Sequence, residues 1–289
     1  MNANAPRMNA SLGLLLFASA CATPVPSVPA TESAKPSIPI EVKRPEGTGP
    51  FPAVVILHDC SGLGPRSSGS PARWAKLLVD RGYVVLIPDS FSTRGHADGV
   101  CTDPSPSRND VSPARRVRDA YETLAYARSL PEVDRARVGV MGGSHGGSTT
   151  LATMIAPRAA ADPGFAAAVA LYPGCGFRYG DWDPKGPGVY KPRAPLLILV
   201  GEKDDWTPAE PCRVLGERSR NAGLPVTVKI YPGAHHSFDS RSPVRYNEAR
   251  VNMSSTTGRG ATIGGNPEAW AESIRDVTAF FDAQLKKPR

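Results

Sequence analysis

The sequence has little of what would assign it to a specialised class of protein. It contains five histidines and five cysteines in 289 residues, and it lacks an H-E-x-x-H or similarly spaced ligand set. A metal centre built from His235, His236 and Asp204 or Asp205 is therefore conceivable but has no motif behind it. The net charge is +7, yet Lys and Arg are scattered, which argues against nucleic-acid binding. There is no internal repeat and no sign of a second-domain boundary.

The apolar run near the N-terminus is short. Arg7 precedes the run SLGLLLFASA, which is too short for a stable membrane span and is typical of an export signal over residues 1–20. Two interpretations of its end remain open, because A-S-A fits ordinary secretory cleavage while ASAC resembles a bacterial lipoprotein box with lipid on Cys21. Residues 21–36 are rich in Pro, Ser, Thr and Ala, and they are expected to form an extended tether.

The cysteine count fits export. Without Cys21, four cysteines remain: Cys60, Cys101, Cys175 and Cys212. An even number of cysteines is typical of a protein with disulfides in an oxidising compartment. Three pairings are possible, and four reduced, buried thiols are the alternative. We therefore expect a periplasmic protein of a bacterium, anchored to the membrane as a lipoprotein if Cys21 carries lipid.

Short apolar runs recur between helical patterns over residues 37–289. Each is too short for a helix and is bounded by Gly, Pro or charge, and the 40% hydrophobic fraction can build a sizeable core. They predict a single α/β domain with a mostly parallel, doubly wound sheet flanked by helices, and IPIEVKRP is expected at its edge. The predicted strands are Ala53–His58, Tyr83–Pro88, Arg137–Gly142, Ala166–Tyr172, Leu196–Gly201 and Val226–Tyr231.

Helix signals separate several of these strands. Ser70 is predicted to cap a helix that has Pro71 at its first position and ends at Gly82. A second helix is expected from about Ser112, and a third over PEAWAESIRDVTAFFDAQL.

The stretch RVGVMGGSHGG contains a G-x-S-x-G motif between a predicted strand and a helix that is predicted over Ser148–Ile155. Gly142 and Gly146 flank Ser144 at positions where a side chain would clash in a sharp strand-to-helix turn, and such a turn exposes the serine hydroxyl. The N-terminus of the helix that follows adds positive potential. Ser144 is therefore the candidate nucleophile.

A serine hydroxyl needs a histidine base and a carboxylate that orients it. In hydrolases with this motif, the chain order is nucleophile, acid, histidine. The strand LLILVG is followed by EKDDWTP, and VTVKIY is followed by PGAHHSFD, so candidates of both types occur in that order.

From about Pro52 onward, the chain resembles the dienelactone hydrolase family of α/β-hydrolases in four segments: HDCSGL, GGSHGG, GEKDDWTP and YPGAHHSF. The resemblance implies the α/β-hydrolase fold. The family's G-x-x-D-x-x-x-P pattern selects Asp204 as the acid, with Asp205 in reserve. Its histidine precedes a small residue and Phe, which selects His236 over His235.

The resemblance also implies an oxyanion hole formed by the backbone N–H groups of Cys60 and His145. For this fold the preferred disulfides are Cys60–Cys101 and Cys175–Cys212, the first of which would fix the loop at Cys60. No cofactor is expected. Well-known family members use a cysteine nucleophile where this chain has Ser144, so their substrates do not transfer.

Three predictions concern the substrate. Arg94 follows the second core strand and is predicted either to contact an anionic substrate group or to form a structural ion pair. Trp206 is a second candidate substrate contact. The segment 239–266 either covers the pocket or forms a surface excursion.

These features predict a serine hydrolase that cleaves small esters or lactones through an acyl-enzyme. A serine peptidase with the same triad is the nearest alternative, and a non-catalytic envelope binding protein is another. No nucleic-acid partner is expected, and membrane contact is expected only through a lipid on Cys21.

Overall fold

The computed structural model describes residues 1–2, 36–156 and 162–286. The predicted signal peptide, the candidate lipid site Cys21 and the tether lie outside these ranges, apart from residues 1, 2 and 36. In the described ranges, no helix is both long and apolar enough to cross a membrane.

A seven-stranded sheet forms the centre of the fold, in the order β1-β3-β2-β4-β5-β6-β7. Strand β1 is antiparallel to β3, and every other neighbouring pair is parallel. The predicted mostly parallel sheet and its edge strand are therefore confirmed. The strands are β1 (Ile40–Lys43), β2 (Phe51–Leu57), β3 (Val84–Pro88), β4 (Val133–Gly143), β5 (Ala168–Leu171), β6 (Leu196–Gly201) and β7 (Val226–Tyr231).

Helices cover both faces of the sheet. They are α1 (Ser70–Val79), α2 (Pro113–Ser129), α3 (His145–Ile155), α4 (Ala209–Asn221) and α5 (Pro267–Phe281). Side chains alternate along β2, so that Val55 packs in the core with α2, α3 and α4, whereas Val54 packs in the core with α1 and α5. This two-sided burial explains why β2, β3, β5 and β6 contain no charged residue.

Two of the predicted helix starts are wrong. Gly69, with φ 69°, occupies the N-cap of α1, and Ser70 is already the first helical residue. The Ser70 hydroxyl does not cap the helix but donates to Asp239 Oδ2 at 2.5 Å. Helix α3 begins at His145, directly after Ser144, rather than at Ser148. The starts of α2 and α5 at Pro113 and Pro267 agree with the sequence.

The segment 239–266 contains an antiparallel pair, β8 (Arg245–Val251) and β9 (Arg259–Ile263), which we call the hairpin. Backbone hydrogen bonds join the hairpin and its flanking residues to the rest of the domain. The N–H of Gly264 donates to His236 O at 3.0 Å, and the N–H of Val251 donates to Cys101 O at 3.0 Å. The segment is therefore an ordered element placed at the carboxyl edge of the sheet.

Candidate active site

Ser144 lies at the sharp turn between β4 and α3. Its backbone has φ 54° and ψ −115°, a conformation that is costly for a residue with a side chain. The flanking glycines make the turn possible: a Cβ on Gly146 would lie 1.9 Å from Leu57 O, and one on Gly142 would lie 2.5 Å from the Gly146 carbonyl. The G-x-S-x-G pattern thus forms the strand-to-helix turn expected from the sequence.

His236 follows β7 and points at the serine. Its Nε2 lies 2.9 Å from Ser144 Oγ, and its Nδ1 lies 2.8 Å from Asp204 Oδ2. Because a carboxylate accepts hydrogen bonds, Nδ1 carries the proton and Nε2 is free to accept from the serine hydroxyl. His235 bonds instead to Lys203 O at 3.0 Å. The structure therefore brings together Ser144, His236 and Asp204.

The Asp204 carboxylate is almost fully buried and is held by its own loop. Its Oδ1 accepts from the N–H groups of Trp206 at 2.9 Å and Thr207 at 2.8 Å. The Thr207 hydroxyl lies 3.0 Å from Asp204 Oδ2 and 3.0 Å from Tyr172 O. Sequence reasoning missed Thr207, although it lies in the acid-loop segment GEKDDWTP. Together these bonds fix the orientation of the carboxylate toward His236.

Asp205, the reserve acid, faces the hairpin. Its Oδ1 accepts from Thr262 N at 2.8 Å, its Oδ2 accepts from Thr262 Oγ1 at 2.7 Å, and its backbone oxygen accepts from Asn252 Nδ2 at 3.0 Å. Asp205 therefore joins the acid loop to the hairpin and does not contact the histidine.

Ser144 and His236 open onto a cavity of about 250 Å³, which is large enough for a small molecule. The hairpin forms one wall, through Arg245, Arg250 and Ile263, so the segment 239–266 does line the pocket. Among the described residues, non-glycine side chains with positive φ occur at Ser144, Tyr172 and Ser237, all of which line this cavity. Backbone strain concentrates where function is found.

The cavity wall carries an excess of positive charge. Four arginines line it, and none forms an ion pair with a described carboxylate: Arg66, Arg73, Arg245 and Arg250. The two lining carboxylates are already satisfied by neutral donors. Asp59 accepts from Ser61 and Ser68, and Asp239 accepts from Ser70, Trp74 and Tyr172.

Trp206, a candidate substrate contact, lines this cavity. Its ring lies 4.7 Å from the His236 ring, and the Arg250 guanidinium lies 5.2 Å above the indole. Its Nε1 donates to Val251 O at 2.9 Å, which fixes the ring against the hairpin. Burial lowers the pKa of Arg250, whose Nε has no partner among the described residues.

Arg94 does not line the cavity. Both of its terminal nitrogens donate to Asp119, each at 2.7 Å, and Nη1 also donates to Ser90 O at 2.6 Å. The predicted contact with an anionic substrate is therefore wrong for the described arrangement. Arg94 takes the other predicted role, a structural ion pair.

Both preferred disulfides, Cys60–Cys101 and Cys175–Cys212, are present. Cys60 and Cys101 line the cavity, and Val100 N donates to Cys60 O at 2.7 Å, so the loop at Cys60 is fastened to the loop at Cys101. The expected fixing of this loop is confirmed. Asp59, Cys60 and Cys101 lie close together, but both sulfurs belong to the disulfide, so this cluster offers no thiolate to a metal. Among the described residues, no metal-ligand group is formed by His235, His236, Asp204 and Asp205.

A second buried group lies next to the turn at Ser144. It contains His58, Phe91, Arg116 and His145. Burial and the Arg116 charge hold the pKa of both histidines well below 6.5, so both rings are neutral near pH 7. Burial lowers the pKa of Arg116 to about 10, so this residue keeps its charge.

A serine on a strand-to-helix turn, with histidine and aspartate after later strands of a parallel sheet, defines the α/β-hydrolase class. Residues 39–284 match the model of the dienelactone hydrolase family. The chain belongs to this family.

Two known proteins illustrate the similarity. The chain is 28% identical over 231 residues to a carboxymethylenebutenolidase of Rhodococcus opacus. The matched region covers 70% of this chain and 80% of that protein. The structure of this chain resembles that of Thermogutta terrifontis esterase 2 phosphorylated by paraoxon, with a TM-score of 0.58 and 19% identity. The match covers 84% of this chain and 88% of the esterase. The structural likeness shows a shared fold.

Proposed function

We propose that this enzyme hydrolyses carboxylic esters or lactones through an acyl-enzyme on Ser144. In the first half-reaction, Ser144 Oγ attacks the carbonyl carbon while His236 Nε2 takes the hydroxyl proton. Asp204 orients the imidazole and stabilises its protonated form. The tetrahedral intermediate then collapses, the bond to the alcohol oxygen breaks, and His236 returns the proton to that oxygen.

In the second half-reaction, water replaces the alcohol. His236 takes a proton from the water, whose oxygen attacks the acyl carbon. The tetrahedral intermediate then collapses, the bond from the acyl carbon to Ser144 Oγ breaks, and His236 returns the proton to Oγ, which releases the acid and regenerates Ser144. A lactone follows the same course, except that its alcohol remains attached to the acyl group. No step requires a cofactor.

The N–H groups of Cys60 and His145 are proposed to hold the oxyanion in both intermediates. His145 is the first residue of α3, so its amide lies at the positive end of the helix dipole. Cys60 lines the cavity and lies in the loop fastened by the disulfide. Preorganised donors of this kind favour the charged intermediate over the neutral substrate.

One observation carries the proposal: the continuous hydrogen-bonded series from Ser144 Oγ through His236 to Asp204, with 2.9 and 2.8 Å between successive atoms, on the wall of a cavity. Membership in a hydrolase family supports the same conclusion. Relatives such as the Rhodococcus opacus protein are named for hydrolysis of a butenolide, which is a lactone.

The test is labelling with a fluorophosphonate probe, combined with hydrolysis of p-nitrophenyl acetate and of the matching anilide. The parent is expected to be labelled and to cleave the ester faster than the amide. S144A and H236N should lose labelling and lower kcat/KM by at least about 10³-fold. H235N, which changes the neighbouring histidine, should behave as the parent does. Parental ester hydrolysis by S144A would disprove the acyl-enzyme, and faster cleavage of the anilide would assign a peptidase.

The charge of the cavity supports a substrate that carries a carboxylate. The four lining arginines form no ion pair with a described carboxylate, so an anionic group placed among them would gain charge-assisted hydrogen bonds. Arg250 is the strongest candidate because it stacks on Trp206 beside His236.

We also propose that the protein is exported and that Cys21 carries lipid. The two disulfides support an oxidising compartment, since such bonds are rare in the cytosol. Mass spectrometry of the mature N-terminus distinguishes a lipidated Cys21 from plain cleavage, and C21A should move a lipidated protein from the membrane fraction to the soluble fraction.

A further inference from the structure

We propose that Arg116 is a positioning residue for the oxyanion hole, and that its buried charge favours the negatively charged intermediates on Ser144. The proposal rests on the function proposed above. It concerns a residue that the hydrolytic steps do not use and that lies outside the cavity lining.

Arg116 contacts the segment that carries one of the oxyanion donors. The residue lies in the first turn of α2 and is fully buried. Its Nη1 lies 2.8 Å from His145 Nδ1. Since a guanidinium only donates, His145 Nδ1 must accept, and the neutral ring carries its proton on Nε2. His145 directly follows Ser144, so this bond fixes the residue that carries one of the proposed oxyanion donors.

The same residue reaches the segment of the other donor through Phe91. The Arg116 guanidinium carbon lies 5.1 Å from the centre of the Phe91 ring. Phe91 packs edge-on against His58 with ring centres 4.5 Å apart, and His58 precedes Cys60 by two residues. The His58 ring is fixed as well, because its Nδ1 donates to Asp59 O at 2.8 Å and its Nε2 accepts from Ser90 N.

The charge of Arg116 is not balanced by a contacting carboxylate. Its Nε and Nη2 are buried and have no hydrogen-bond partner among the described residues. Asp119 lies one turn further along α2, but both its oxygens are taken up by Arg94 at 2.7 Å. An unpaired buried cation lowers the stability of a fold, so its presence beside a nucleophile indicates a role in function.

The charge of Arg116 acts differently on the neutral substrate and on the negatively charged intermediate. A neutral carbonyl interacts weakly with a nearby charge, whereas the oxyanion interacts strongly in an environment of low dielectric constant. Arg116 should therefore stabilise the transition state more than bound substrate, and its loss should lower kcat with little change in KM.

The test compares R116M, R116K and R118M with the parent. Methionine removes the charge but keeps an apolar stem, and lysine keeps the charge. R118M makes the same charge change at an exposed position of the same helix. For R116M, we expect kcat on p-nitrophenyl acetate to fall about 10- to 100-fold with KM within about two-fold. R116K should recover a substantial part of the loss, and R118M should match the parent.

Two further readouts separate this role from a purely structural one. Phenylboronic acid forms a tetrahedral, negatively charged adduct with serine, and its affinity should fall in R116M by about the same factor as kcat. The melting temperature of R116M should equal or exceed that of the parent, because replacing a buried unpaired charge is neutral or stabilising.

The proposal is overturned if R116M keeps kcat within about two-fold of the parent, or if kcat and melting temperature fall together without recovery in R116K. Fluorophosphonate labelling of the parent keeps the two proposals distinct. If the parent is labelled at Ser144 but R116M has the same kcat as the parent, only the role of Arg116 is refuted. A parent that is not labelled refutes the acyl-enzyme itself.

Discussion

Asp204 and Asp205 are adjacent in the chain, yet their carboxylates serve different parts of the structure. Asp204 Oδ2 lies 2.8 Å from His236 Nδ1, whereas Asp205 Oδ2 lies 2.7 Å from Thr262 Oγ1 on the hairpin. Successive side chains in this turn point to opposite sides, so one loop both orients the histidine and holds the wall of the cavity.

Substitution of the two aspartates by asparagine should separate these functions. D204N should lower kcat about 10⁴-fold, because an amide no longer fixes the histidine tautomer. D205N should keep kcat within about ten-fold and lower the free energy of unfolding by about 1–3 kcal/mol, because it weakens the bonds to Thr262. Steady-state kinetics and urea unfolding measure the two effects. Equal losses of kcat in the two variants would contradict the assignment of Asp204 as the acid.

The two disulfides provide a second matched pair. They join cysteines 41 and 37 residues apart, so removing either one should cost about 2–4 kcal/mol of stability. C60S/C101S should in addition lower kcat by about ten-fold, because the loop that presents the Cys60 amide is released. C175S/C212S should leave kcat within about two-fold. The comparison is made well below both melting temperatures, and similar kcat values in the two variants would argue against the role of Cys60.

The buried histidines predict a loss of stability in mild acid. His58 and His145 stay neutral in the folded protein, because burial lowers their pKa well below 6.5. The unfolded chain binds these protons below about pH 6.5, so stability is complete above that pH and falls as pH decreases. Each histidine contributes roughly 1.4 kcal/mol per pH unit. In urea unfolding between pH 7.5 and 5.0, H58N should show a shallower slope than the parent, whereas H235N should keep the parental slope.

The arginines of the cavity predict a preference for anionic esters. p-Nitrophenyl hydrogen succinate and p-nitrophenyl butyrate have acyl chains of similar length but differ in charge. R250M should raise KM for the succinate about ten-fold and leave KM for the butyrate nearly unchanged, as expected for loss of one charged hydrogen bond. R259M is the control, because Arg259 is on the same hairpin but does not line this cavity. An equal change for both esters would point to distortion of the wall.

The strands of the sheet and the turn at Ser144 were predictable because each depends on a short pattern of neighbouring residues. Short apolar runs bounded by Gly or Pro mark buried parallel strands, and the turn at Ser144 requires small flanking residues wherever it occurs. Asp204 and His236 follow later parallel strands, whose carboxyl ends meet at one edge of the sheet. The resemblance to the dienelactone hydrolase family, and not a local pattern, selects them over Asp205 and His235.

Features that depend on long-range contacts were not predictable. The Ser70 hydroxyl bonds to Asp239, 169 residues away, instead of capping its helix. Neither hairpin strand shows the alternation that marks a strand, because β8 is polar and largely exposed and β9 is short and rich in small residues. The pairing of Arg94 with Asp119 and the burial of Arg116 depend on how α2 packs against the turn at Ser144, which no local pattern encodes.

The hairpin bonds to the histidine segment through Gly264, to the acid loop through Asp205 and to the disulfide loop through Cys101. None of these bonds involves the reactive atoms of Ser144 or His236. We therefore expect the stretch between Ser242 and Gly264 to tolerate exchange without displacement of the reactive atoms. Directed evolution or grafting confined to it, with Thr262 and Asn252 retained as anchors, can redesign which molecules the enzyme accepts while the reaction itself stays the same.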